Sequence, residues 1–153
     1  MKHIITQRED IFGPWMMERL GSEWFPGRGS IIGLWDDELQ APIAGAMFEG
    51  YNGASVIVHL TGLGKRWMNR EYLWFCFCYP FEQLRVTKLI GVVESDNLDA
   101  QRLNTHFGYT LEATLKDAAP KGDLLIYSMT RDQCKWLTLK EQYRGKTQGP
   151  SAA

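Results

Sequence analysis

Few residues in this chain can do chemistry, and they are scattered along it. His59 stands alone in the apolar stretch Ala54 to Leu60. An imidazole titrates close to neutrality and can take up or release a proton there, although a lone histidine in a strand can equally be structural. Lys65, Arg66 and Arg70 follow Thr61-Gly62-Leu63-Gly64 and make a basic turn that would cap a helix. Cys76, Cys78 and Cys134 form neither an even disulfide framework nor a Cys-X-X-Cys pair. Two of them sit inside the apolar run Tyr72 to Phe81, so buried reduced thiols are expected. No Cys-His pair has ligand spacing and Cys134 has no histidine nearby, so neither a metal nor thiol catalysis is expected.

The elements that must hold these groups follow from punctuation by Gly and Pro. His3 to Thr6 reads as a strand and Arg8 to Leu20 as a helix, with Pro14 bending or restarting it. After the loop Phe25-Pro26-Gly27-Arg28-Gly29 come three strands, Ser30 to Trp35, Ile43 to Tyr51 and Ala54 to Leu60. Asp36-Asp37-Glu38 and Asn52-Gly53 supply their turns, the second being a strong hairpin signal. Trp67 to Leu84 is too long for a strand and apolar around most of its circumference, which predicts a buried helix kinked by Pro80. Its aromatics, Trp67, Trp74, Phe75, Phe77, Tyr79 and Phe81, are read as core. Lys88 to Val93 is a strand, and Asn97 to Phe107 a helix capped by Ser95 or Asp96 and stopped by Gly108. Tyr109 to Leu115 and Leu124 to Thr130 form a closing strand pair around the loop Lys116 to Asp123. The order β-α-β-β-β-α-β-α-β-β is a mixed α/β layout.

Composition excludes several classes. The 153 residues make one domain, expected over 1–139, with a polar tail over 140–153. Apolar residues at 44% and charged residues at 23% rule out a disordered or fibrous chain. A net charge of -1 lacks the basic excess of a bulk nucleic-acid binder. The longest apolar run is too short to span a membrane, and residues 1–10 lack a signal-peptide pattern, so the cytoplasm is the expected location.

The order of elements, with a turn leading from the fourth strand into a long helix, resembles the GNAT superfamily of N-acetyltransferases. Asn97-Leu98-Asp99-Ala100-Gln101-Arg102 followed by Phe107-Gly108-Tyr109 is similar to that family's Asn-X-X-Ala-X-Arg, then Gly-Phe segment. Leu111-Glu112-Ala113-Thr114-Leu115-Lys116-Asp117-Ala118, with Asp123 and Tyr127-Ser128-Met129, resembles the branch that acetylates N-termini of ribosomal proteins. The ending Arg131 to Leu137 is similar to phage-borne and prophage-borne members. The resemblance covers roughly Ile31 to Leu137.

It implies a GNAT-like fold, a central mixed sheet flanked by helices with its fourth and fifth strands splayed apart. It also implies acetyl-CoA as cofactor and an amine-bearing acceptor, small molecule or protein, acetylated by direct attack. Pyrophosphate would lie at Gly64-Lys65-Arg66-Trp67-Met68-Asn69, where a helix N-terminus favours an anion. The family pattern there is Gln or Arg, X, X, Gly, X, Gly or Ala; this chain has Gly64, Trp67 and Asn69 instead, with Lys65, Arg66 and Arg70 able to compensate by charge. Leu60 and Thr61 would contact the cofactor, a backbone N–H near Leu60 would steady the oxyanion, and Asn97 would contact the cofactor. Glu112 aligns with the proposed general base of the N-terminal-acetylating branch, with His59 a second candidate. Asn104 occupies the position of a Tyr that protonates the departing thiolate; an amide donates a hydrogen bond but no proton. Trp24 and Arg28 fall where the family grips its acceptor. The glycine-poor turn and the absent Tyr keep open a second reading, a GNAT-fold binding or inhibitor protein of phage origin acting on a host factor in the host cytoplasm. A monomer or a homodimer fits either.

Overall fold

The computed structural model describes residues 1–65 and 67–138. Seven strands form one sheet in the order β1-β2-β3-β4-β5-β7-β6: β1 Lys2–Thr6, β2 Ser30–Asp36, β3 Ala41–Glu49, β4 Ser55–Gly62, β5 Lys88–Glu94, β6 Thr110–Ala119 and β7 Gly122–Thr130. Every pairing is antiparallel except β4 with β5. The helices are α1 Glu9–Leu20, α2 Arg70–Cys78 and α3 Leu98–Phe107. This is the mixed sheet with flanking helices that the sequence predicts. No helix among the described residues is long and apolar enough to cross a membrane.

Helix α1 lies on the face of β2, β3 and β4, and glycines set its distance. Gly33 and Gly45 are register partners on β2 and β3. A Cβ on Gly33 would fall 2.3 Å from the Phe12 ring, and one on Gly45 would fall 2.5 Å from the Met16 sulfur. The paired glycines therefore form a hollow into which α1 sinks, completing a cluster of Phe12, Met16, Met17, Ile31 and Met47. Helix α1 runs through Pro14 without restarting and ends at Gly21 in the left-handed conformation, φ 68°.

The opposite face carries the larger core. Helix α2 begins at Asn69, whose side chain accepts from the Tyr72 N–H at 2.7 Å. The predicted helix over 67–84 is thus shorter, and its C-terminal part is a π-helical turn over Tyr79–Gln83 containing Pro80, which has no N–H to donate. Tyr72 is fully buried and donates its hydroxyl to the Ile32 carbonyl at 2.8 Å, tying α2 to β2. The three cysteines are buried.

The C-terminal hairpin is longer than predicted, β6 and β7 continuing through most of the expected loop 116–123. Helix α3 is capped by Asn97, whose side chain accepts from the Ala100 N–H at 3.1 Å, rather than by Ser95 or Asp96. Gly108 stops it at φ 103°, as predicted. The polar tail over 140–153 lies outside the described residues.

Candidate active site between the splayed strands

Strands β4 and β5 pair over three residues each: Ser55 with Lys88, Val56 with Leu89, and Ile57 with Ile90. Beyond these they part, and among the described residues no strand fills the gap between Val58 on β4 and Gly91 on β5. A cavity of about 330 Å³ fills the wedge. Its lining includes Val58, His59 and Leu60 on one side, Gly91 to Glu94 and Asn97 on the other, and Asn104, Phe107 and Tyr109 behind. Gly91 adds room beside these groups, a Cβ there standing in ordinary contact at 3.4 Å from the Asn104 amide nitrogen and 3.8 Å from the Tyr109 ring.

His59 meets a carboxylate in this wedge. Register pairs Met47 with His59 and Glu49 with Ile57, so Glu49 and His59 are diagonal neighbours on one face. His59 Nε2 lies 2.6 Å from Glu49 Oε2, with side-chain exposures of 26% and 23%. Among the described residues nothing bonds the His59 Nδ1. Burial lowers the His59 pKa below the ordinary imidazole value; the Glu49 charge and hydrogen bond oppose this, and the Arg28 charge assists it. A ring that gives its Nε2–H to Glu49 and keeps a lone pair on Nδ1 near neutral pH is a competent proton acceptor.

The predicted site residues divide into three groups. His59, Leu60, Asn97 and Asn104 line the cavity. Thr61, Gly64, Lys65, Met68, Asn69 and Arg70 follow along the end of β4 and the turn into α2. There Gly64 is left-handed at φ 61° and the Met68 N–H bonds the Lys65 carbonyl at 3.2 Å. The Thr61 hydroxyl accepts from Arg19 at 3.2 Å. Trp67 belongs to this turn, yet its ring is buried, donating to the Gly64 carbonyl at 3.0 Å and lying where a Gly62 Cβ would be 2.4 Å away. Arg66 lies outside the described residues.

Glu112 is elsewhere. It sits at a bulge on the edge strand β6, outside the cavity lining, and accepts from Lys88 Nζ at 2.6 Å. Hydrogen bonds from Lys88 and Ser128 hold its carboxyl below the usual range.

Two cavity or near-cavity groups escape a reading of the sequence. Glu49 becomes visible only once the β3–β4 register is known. Tyr109 lines the cavity beside Asn104, and burial pushes its hydroxyl pKa well up, so it stays protonated. Its position directly after the helix-stopping Gly108 is the one signal that could have drawn attention to it. Burial likewise pushes the Cys76 thiol up to about 12 and Cys134 to about 11, which keeps both from acting as thiolates.

No protein-family model matches the chain, and no curated protein matches it. Solved structures do. A mutant form of the spermidine/spermine N-acetyltransferase SpeG from Vibrio cholerae superposes with a TM-score of 0.69 at 14% identity, covering 90% of this chain and 96% of that one. The ribosomal-protein-S5-alanine acetyltransferase from Vibrio fischeri gives 0.59 at 9% identity, over 84% and 72%. A GNAT-family acetyltransferase from Bacillus anthracis gives 0.53 at 14%, over 67% and 66%. At these identities the likeness is one of fold: this chain has the architecture of GNAT acetyltransferases.

Proposed function

We propose that the chain is an acetyl-CoA-dependent N-acetyltransferase with a primary amine as acceptor and His59 as proton acceptor. One observation carries this reading: the three-residue parallel pairing gives way to a cavity of about 330 Å³ at the point where a largely buried His59 meets Glu49. The acetyltransferase names of the structural neighbours agree with it.

The cavity suits the cofactor. Val58–Leu60 and Gly91–Glu94 pair with β3 and β7 on their outer sides, so the amide groups that face the gap are left to meet an extended chain, and a side chain at position 91 would take up room beside it. Lys65 and the N-terminus of α2 would hold phosphate by charge and by backbone N–H groups. Bound acetyl-CoA supplies an acetyl group activated as a thioester. His59 takes the proton of the incoming ammonium at Nδ1, while Glu49 accepts the Nε2–H, fixes the tautomer and steadies the imidazolium that forms. Asn104 and the Tyr109 hydroxyl, which burial keeps protonated, would donate hydrogen bonds to the departing sulfur.

Acetyl-CoA should raise the melting temperature, since a ligand bound at 100 Kd adds about 2.7 kcal/mol to folding stability. A thiol-release assay should then find turnover with at least one amine in a panel of polyamines, lysine and peptide N-termini. An unchanged melting temperature at millimolar acetyl-CoA would overturn the reading.

The buried Trp67, at a position where the family pattern has glycine, favours a second reading, a weakly active or inactive binding protein of phage origin acting on a host factor. Cofactor binding without thiol release from any amine would select it.

A further inference from the structure

We propose that Arg28 is a positioning residue for this site: it fastens the loop between α1 and β2 to Glu49 and, through Glu49, orients the His59 imidazole. The inference rests on the reading of His59 as proton acceptor. Arg28 is not exposed as a loop arginine usually is, its side chain being 14% accessible. Its Nη1 donates to the Ser22 hydroxyl at 3.0 Å, to the Met17 sulfur at 2.9 Å and to the Glu23 carbonyl. Its Nη2 donates to Glu49 Oε2 at 3.3 Å, the same oxygen that His59 Nε2 meets at 2.6 Å. The guanidinium also lies 5.9 Å from the ring centre of Phe25, which is 56% exposed on that loop.

The backbone is built to bring Arg28 there. Gly27 is left-handed at φ 84°, and a Cβ on Gly29 would fall 2.6 Å from the Phe48 carbonyl, so only glycine lets the end of the loop lie this close to β3. The β2–β3 register begins at the next residue, Ser30 with Phe48. One guanidinium thus joins α1 and the loop to the Glu49 carboxylate of β3.

The charge arrangement follows from this. Guanidinium cannot deprotonate in a protein, so Glu49 always faces a permanent cation as well as the imidazole. Facing His59 are Glu49 from β3 and Arg28 from the loop; Arg19 of α1 sits on adjacent Thr61, and Glu94, Cys76 and Tyr109 share the cavity lining. Of these, Glu49 favours the protonated ring and Arg28 opposes it. Burial is the first cause of the neutral ring and Arg28 adds to it in the same direction, whereas a brace lying away from Glu49 and His59 would have no influence on that titration.

The test is an NMR titration of the His59 ring in the full chain, assigned against His59→Gln, for the parent, Arg28→Lys, Arg28→Gln and Arg28→Ala. The expected result is an upward shift of the His59 midpoint in Arg28→Ala and Arg28→Gln, with Arg28→Lys close to the parent. In the neutral variants kcat/KM at the acidic end should fall about threefold to tenfold relative to each variant's own alkaline plateau. A midpoint unmoved or moved downward in Arg28→Ala and Arg28→Gln would overturn the proposal, whatever the melting temperatures do. Should Arg28→Ala fail to fold, Arg28→Gln reads the same midpoint with a hydrogen-bonding side chain retained. The titration needs no substrate, so it decides the part played by Arg28 even if no amine is acetylated or if His59→Gln proves active.

Discussion

Two ion pairs lie on the same face of the sheet and have the same length. His59 meets Glu49 at 2.6 Å, and Lys88 meets Glu112 at 2.6 Å. Their surroundings separate them. The first pair is about three-quarters buried and borders the open end of the wedge; in the second, Glu112 is 48% exposed and Lys88 sits at the closed end, paired with Ser55. Burial leaves His59 a neutral base, whereas Lys88 and Ser128 hold Glu112 as a carboxylate with lowered affinity for a proton. Contact distance alone does not tell a reactive pair from a surface one; solvent access and the partner's own proton affinity do.

The largest expected effect comes from the first pair. His59→Gln should lower kcat by about 10² or more with acetyl-CoA binding retained, as calorimetry and steady-state rates would register. Intact turnover would break the comparison outright. Next, Tyr109→Phe should cost roughly tenfold to a hundredfold in kcat if its hydroxyl donates a hydrogen bond to the departing sulfur, while leaving cofactor affinity alone. Asn104→Ala, losing one neutral hydrogen bond, should cost about twofold to tenfold in the same assay.

The pH dependence sharpens the contrast further. Because the folded His59 pKa lies below the ordinary 6.5, kcat/KM should hold its plateau below that pH and drop as pH falls through the lower, folded value. The unfolded chain binds the proton that folded His59 refuses, so folding stability rises with pH across that window and is lost as pH falls. Denaturation curves of His59→Gln should lack that component. The smallest effect belongs to Glu112→Gln, expected to change kcat by no more than about twofold, as for an exposed ion pair. A hundredfold loss there would reverse the assignment of the base.

Much of the scaffold is legible in the sequence. Alternating runs and the glycines after them mark the strands, and Gly108 marks the end of α3. What is not legible depends on register. A two-residue Asn52-Gly53 turn would pair Tyr51 with Ala54 and hence Ala46 with His59, sending Glu49 and His59 to opposite faces. The observed connection runs from Gly50 to Ala54, with both Gly50 and Gly53 left-handed and the Asn52 side chain accepting from Ala54 and Ser55 N–H at 2.9 Å each. That longer loop shifts the pairing by one residue, Met47 with His59, and creates the pair at the wedge. Similarly, the apolar run from Trp67 gives no hint that the helix waits for Asn69, because a tryptophan buried beneath a turn and one buried on a helix look alike in sequence.

The short parallel ladder has a mechanical side. Four strands, β1 to β4, make one antiparallel block and three, β5, β7 and β6, make another; within the sheet the blocks are stitched together by three residue pairs, Ser55 to Ile57 against Lys88 to Ile90. A sheet seamed in this way should yield along its seam, with hydrogen exchange of β4 and β5 amides fastest beyond Ile57 and Ile90. A ligand bonded to both lips of the gap would act as mortar. Filling the wedge would then stiffen the whole sheet from its weakest line, so that occupancy is felt as far away as the outer strands.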